Sequence, residues 1–130
     1  MGLSLLVCLT VAGCVKYKAE MLKAPAFKAM IEDNPDVQIV DVRTPDEFLT
    51  GHIKGAYSVD ILEEDFKERL AEFDKTKPIA VYCLVGQRSY EAYRLLVEMK
   101  FREVYHLEAG TVAWQREKFE LEEGGGRYAQ

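Results

Sequence analysis

The side chains that build metal centres and cross-links are scarce in this chain. Its 130 residues hold two histidines, His52 and His106, and three cysteines, Cys8, Cys14 and Cys83. Two histidines so far apart do not make a metal site, and neither a metal nor a cofactor is expected. Clustered basic charge is missing as well. The 17 Lys and Arg stand mostly singly against 22 Asp and Glu, for a net charge of −5, so the electrostatic footprint of a nucleic-acid binder is absent and no such partner is expected. The most apolar stretch, Leu3 to Ala12, is far shorter than the about 20 residues that a helix needs to cross a bilayer. Internal repeats and low-complexity domains are also lacking. What remains is a chain 48% hydrophobic, enough to bury one core of ordinary size in a single domain.

The first charged side chain is Lys16, and the apolar stretch before it has the length of a signal-peptide core. It closes on Val11-Ala12-Gly13-Cys14, which resembles the lipobox of bacterial lipoproteins. That resemblance implies a signal peptide over residues 1–13, lipidation of Cys14 and a linker over 14–19. The expected location is then the cell envelope of a bacterium, periplasm-facing and held to the membrane by lipid. No Lys or Arg precedes the apolar run, although signal peptides usually carry one. The alternative is a buried first strand or helix of a cytoplasmic domain. N-myristoylation at Gly2 fits poorly, because Leu6 stands where that motif wants Ser or Thr. With Cys8 removed and Cys14 lipidated, Cys83 would be the one free thiol, with no partner for an intramolecular disulfide.

From Pro25 onward the pattern alternates. Phe27, Met30 and Ile31 have helical spacing, ended by Pro35. Val37 to Val42 is mostly apolar and β-branched, as in a strand buried on both faces, with Asp41 near its C-terminal end. Thr44-Pro45-Asp46-Glu47 carries the signals of a helix start, with Glu47 read as a cap. His52, between Gly51 and Gly55, reads as a turn residue whose ring holds backbone groups. Ala56 to Val59 can form a strand, and Leu62, Phe66, Leu70 and Phe73 share one helical face. A strand over Ile79–Tyr82, a helix from Ser89 with a stripe of Ala92, Leu95, Leu96 and Met99, a strand over Val104–Leu107 and a short helix carrying Trp114 complete the domain. Residues 123–130 read as a flexible tail. Such alternation predicts an α/β sandwich around a mostly parallel sheet, with ligands beyond the carboxyl ends of the strands. Asp41 and Cys83 both fall at such ends.

Cys83 opens the loop Cys83-Leu84-Val85-Gly86-Gln87-Arg88, between a strand and a helix. Loop amides and the positive end of a helix dipole favour an anion there, and so the thiolate that acts as a nucleophile. The plainer reading is a cysteine packed in the core. Gly86 and the polar run Gln87-Arg88-Ser89 argue for the loop. Arg88 can bind an anion or brace the loop through Asp41, and Arg43 can face the pocket or solvent. His106, within a strand, suggests no catalytic role. Trp114 reads as core or pocket wall.

Four ordered segments resemble the single-domain rhodanese-like sulfurtransferases. They are Asp41-Val42-Arg43-Thr44-Pro45-Asp46-Glu47-Phe48, Gly51-His52-Ile53-Lys54-Gly55-Ala56, Tyr82-Cys83-Leu84-Val85-Gly86-Gln87-Arg88-Ser89, and Glu108-Ala109-Gly110 with Ala113-Trp114. The resemblance covers residues 20–122 and implies a rhodanese-like three-layer sandwich, with helices on both faces of the sheet. It implies an enzyme whose Cys83 takes a sulfane sulfur from thiosulfate or another persulfide donor, small or protein-borne, and passes it to a thiol or other thiophilic acceptor. Residues 84–89 and Arg43 would then contact the donor and the persulfide, with Asp41, Glu47 and His52 in support. Many relatives carry a polar or basic residue directly after the cysteine. Here Leu84 and Val85 make the mouth apolar and less suited to a small dianion.

Two other classes compete. A cysteine phosphatase or arsenate reductase needs five residues between cysteine and arginine, whereas four separate Cys83 from Arg88. The smaller cavity better suits a single sulfur. A non-catalytic, membrane-tethered protein-binding module, or a persulfide or redox relay, remains the alternative, and a retained Cys83 speaks against the first of these.

Overall fold

The computed structural model describes residues 15–125 and the backbone of 127 and 128. The expected signal peptide and lipidation at Cys14 lie outside the described residues. In chain order the elements are β1 (Lys18–Leu22), α1 (Ala24–Asp33), β2 (Gln38–Asp41), α2 (Pro45–Thr50), β3 (Tyr57–Ser58), α3 (Phe66–Leu70), β4 (Ile79–Tyr82), α4 (Gln87–Glu98), β5 (Glu103–Leu107), α5 (Gly110–Arg116) and β6 (Arg127–Tyr128). The strands form one sheet in the order β1-β5-β4-β2-β3-β6, and every neighbouring pair is parallel.

Side-chain alternation along the strands sends residues to two separate cores. Ile79, Val81 and Cys83 join Val40, Val42, Ala92 and Leu96 beneath α3 and α4. Ala80 and Tyr82 join Phe27, Phe48, Ile53 and Trp114 beneath α1, α2 and α5. Helices therefore cover both faces of the sheet, giving the three-layer sandwich expected from the sequence. Each fully buried Phe, Leu, Ile or Val contributes about 1.5–3 kcal/mol, and β4, buried along its whole length, is the hub of both layers.

The connections place the crevice. From β2 the chain moves outward to β3, whereas from β4 it moves the opposite way to β5. The two halves part between β2 and β4, at the position where open α/β sheets bind ligands. In register there, Asp41 lies beside Tyr82, one residue before Cys83.

Three expectations shift at the edges of the domain. Strand β1 starts at Lys18, inside the segment expected to be a linker, and pairs with the edge of β5. Residues 127 and 128 of the expected flexible tail pair with β3 as β6, using backbone groups that an edge strand leaves open. Leu62 does not join the helical face. The Asp60 carboxylate accepts the Leu62 amide at 2.9 Å and turns the chain, so α3 starts only at Phe66 and Leu62 stays exposed. Among the described residues, no helix is long and apolar enough to cross a membrane.

Candidate active site

Beyond β4 the chain turns sharply into α4. Gly86 makes the turn with φ +100, a left-handed conformation that favours glycine, at the N-cap of α4. The turn brings two amides back onto the sulfur. Gly86 N–H donates to Cys83 Sγ at 3.1 Å and Ser89 N–H at 3.4 Å. Cys83 is buried, as the plainer reading required, but a thiol packed only against hydrocarbon has no such donors. Its sulfur sits under the first turn of α4, where unsatisfied N–H groups and the helix dipole favour negative charge.

A second helix sets the orientation of the loop. The amides of Thr111 and Val112, in the first turn of α5, donate to the carbonyls of Cys83 and Leu84 at 2.9 and 3.1 Å. In a planar trans peptide C=O and N–H point oppositely. Holding these carbonyls toward α5 turns the amides of Leu84 and Val85 to the far side. Gly110 makes the approach possible, because a Cβ there would stand 2.2 Å from the Cys83 oxygen and 2.5 Å from the Leu84 oxygen.

The two arginines are paired otherwise than expected. Arg88 does not reach Asp41. It meets Glu47 at two points, Nη1 to Oε1 at 2.8 Å and Nη2 to Oε2 at 2.9 Å. Asp41 is taken by Arg43, whose Nε and Nη2 donate to its carboxylate, Nη2 at 2.7 Å. Arg43 also donates to the Gly51 carbonyl and is buried, so it faces neither pocket nor solvent, contrary to its expected contact with the donor. The reason is proximity. Arg43 lies two residues from Asp41 and folds back onto it, and two charges desolvated together must satisfy each other.

Glu47 does two jobs at once. Its carboxylate closes a capping box with Thr44 at the start of α2 and binds Arg88. The Arg88 guanidinium, with help from Thr44, holds the carboxyl down at about 2 despite its partial burial. His52 is buried, stacks on Phe48 at 3.8 Å and places Nδ1 2.9 Å from the Phe48 carbonyl, the geometry of a turn residue holding backbone. Gln87 is exposed, and Trp114 is core, with Nε1 donating to the Glu120 carbonyl.

His106, for which its place within a strand suggests no catalytic role, stands directly behind the loop. Its Nε2 is 2.7 Å from Ser89 Oγ, in the residue whose amide faces the cysteine sulfur. The ring is buried beside Tyr90 and Tyr93, and burial lowers its pKa against the opposing pull of Gly86 and Glu108. Strand alternation on β5 was the available signal, since His106 interrupts a buried apolar run. Next to the loop opens a shallow cleft of about 680 Å³, lined in part by Val85, Gly86, Tyr90, Glu91, His106 and Glu108.

Comparison with known proteins agrees with this geometry. A sulfurtransferase of Allochromatium vinosum is 34% identical over 95 residues, 73% of this chain and 87% of that protein. A tRNA uridine(34) hydroxylase of Cytophaga hutchinsonii is 34% identical over 113 residues, 85% of this chain, which spans only 34% of the hydroxylase's length. The crystal structure of a thiosulfate sulfurtransferase from Pseudomonas aeruginosa superimposes with a TM-score of 0.73 at 26% identity, over 86% of this chain and 22% of that one. The sulfurtransferase relatives support a sulfur-transfer role. The model of the Rhodanese-like domain matches residues 23–117, from the start of α1 to the end of α5, and so takes in every element that shapes the loop; the chain belongs to the rhodanese-like domain family.

Proposed function

We propose that the chain is a sulfurtransferase that carries sulfur as a persulfide on Cys83. One observation supports this above the others: two backbone amides converge on the sulfur at the N-terminus of α4. Such preorganised donors stabilise an anionic sulfur with little reorganisation during reaction. The Cys83 thiolate attacks the sulfane sulfur of thiosulfate or of another persulfide donor. A new S–S bond forms, the donor's S–S bond breaks, and the donor's remaining fragment (sulfite, in the case of thiosulfate) leaves with the bonding pair. A thiophilic acceptor then attacks the outer sulfur and releases the Cys83 thiolate. The residues that act here are backbone donors, with Arg88 and Glu47 holding the loop in shape.

The test is intact mass. Incubation with thiosulfate or a persulfide donor should add one sulfur atom, which cyanide removes and Cys83→Ser never acquires. An unchanged mass with every donor would sink the proposal and favour a binding module.

For the N-terminus we propose export and lipidation at Cys14, on the strength of Val11-Ala12-Gly13-Cys14. Mass spectrometry of the native protein should find a lipid-bearing Cys14 as first residue. A retained Met1 would refute export.

A further inference from the structure

The charges around the Cys83 loop do not suit a small dianion. Both arginines near the loop are held by carboxylates, Arg88 by Glu47 and Arg43 by Asp41. The side chains lining the adjoining cleft include Glu91 and Glu108 and no Lys or Arg. The two amides that face Cys83 Sγ serve one sulfur anion. Among the described residues that line this cleft, no cationic side chain answers the second charge of thiosulfate, and two glutamates oppose it.

The same rim is apolar. Leu84 and Val85 are 40% and 54% exposed at the mouth of the loop, and Tyr90 and Val112 are exposed beside them. They adjoin one another, since Val112 N–H bonds the Leu84 carbonyl and Val85 and Tyr90 line one cleft. Four large apolar side chains left in water around a reactive residue mark an interaction surface. A glutamate rim adds a preference for positive charge in whatever covers it.

On the reading that Cys83 accepts sulfane sulfur, we propose that this rim docks a protein donor whose cysteine persulfide lies among apolar and basic side chains. The Cys83 thiolate attacks the outer sulfur of the donor's R–S–SH. The S–S bond to Cys83 forms as the donor's S–S bond breaks, and the donor cysteine departs as thiolate with the bonding pair. The proton stays with the transferred sulfur, so atoms and electrons balance without an oxidant or reductant.

The experiment compares second-order rates of Cys83 persulfide formation from four donors. These are thiosulfate and three synthetic cysteine-persulfide peptides, flanked by Leu and Lys, by Leu and Glu, or by Ser and Lys. The Leu–Lys peptide should exceed thiosulfate and the other two peptides, the Leu–Glu peptide by about tenfold, the low end of electrostatic steering. Added salt should slow the Leu–Lys peptide and quicken thiosulfate, since screening weakens attraction and repulsion alike. The double variant Glu91→Lys/Glu108→Lys should invert the order of the Lys and Glu peptides and raise the thiosulfate rate. Thiosulfate matching the peptides, with salt and charge reversal without effect, overturns the docking proposal and leaves sulfur transfer standing. No persulfide from any donor overturns sulfur transfer itself, and docking with it.

Discussion

Glu47 and Arg88 face each other in a two-point ion pair across 41 positions of sequence, Oε1 to Nη1 at 2.8 Å and Oε2 to Nη2 at 2.9 Å. Since the same carboxylate completes the capping box of α2, one side chain ties the first turn of α2 to the first turn of α4. The loop that curls over Cys83 is thereby clamped from the β2 side, while α5 holds it from the β5 side.

Loss of that clamp should be measurable. Arg88→Ala is expected to cost about 1.5–3 kcal/mol, the range for hydrogen bonds to a charged group. The lower end is expected, because both side chains are 30% exposed and water screens them. Sulfur transfer should fall with stability. Urea unfolding near neutral pH, beside a transfer assay, checks both, and a variant unchanged in each contradicts the clamp.

Acid should undo the same pair in a defined window. The Glu47 carboxyl is held at about 2 against an ordinary value of 4.5. Between those values the unfolded chain binds the extra proton, so stability rises with pH there. The contribution is complete above the unfolded value and disappears as pH falls through about 2. Unfolding curves of wild type and Glu47→Gln should therefore converge on acidification. A gap that stays constant would rule this out.

Two neighbouring positions with positive φ should respond in opposite directions. Gly110 has φ +54, and a Cβ there would collide with the carbonyls of Cys83 and Leu84. Gly110→Ala is expected to cost roughly 2–4 kcal/mol and to displace the loop. Ala109 has φ +56 and already bears a Cβ in the left-handed region. Ala109→Gly relieves about 1–2 kcal/mol of strain against an entropic cost of about 0.5–1 kcal/mol, a net gain below roughly 1.5 kcal/mol. Thermal unfolding of the two variants gives the signs, and a shift in the same direction for both would be wrong for this geometry.

His106 should act as a brake on stability below neutrality. Burial lowers its pKa from 6.5, so the unfolded state takes up a proton that the folded state resists. Stability is full above 6.5 and declines as pH falls below it toward the folded value. His106→Asn should flatten that decline. Ser89→Ala removes the group 2.7 Å from Nε2 and strands a buried nitrogen, at a cost of about 1–3 kcal/mol. Stability measured against pH in the three proteins decides it, and parallel profiles would exclude the histidine.

Much of the fold was legible because its signals are local. The capping box at Thr44 and Glu47 was readable from four consecutive residues, and the structure contains it. The doubly buried strands were readable because Val37–Val42 and Ile79–Tyr82 are too apolar to face water on either side. Leu62 misled because helical spacing was present, while one Asp60 side chain turned the backbone. The edge strands β1 and β6 were missed for another reason. Lys18–Leu22 is largely exposed and shows no burial pattern, since backbone pairing with β5 holds it in place.

By itself the sequence determined that one α/β domain would bring the Cys83 thiol to the end of a buried strand, ahead of a helix. Those features follow from periodicity and turn chemistry, which act over a few residues. Only the tertiary structure decided which charges pair and what stands behind the loop. Arg88 meets Glu47 while Arg43 holds Asp41, and His106 reaches Ser89 because β5 lies beside β4. Coulomb and hydrogen-bond partners are chosen by distance in the folded molecule, and distance in space is set by the order of strands in the sheet.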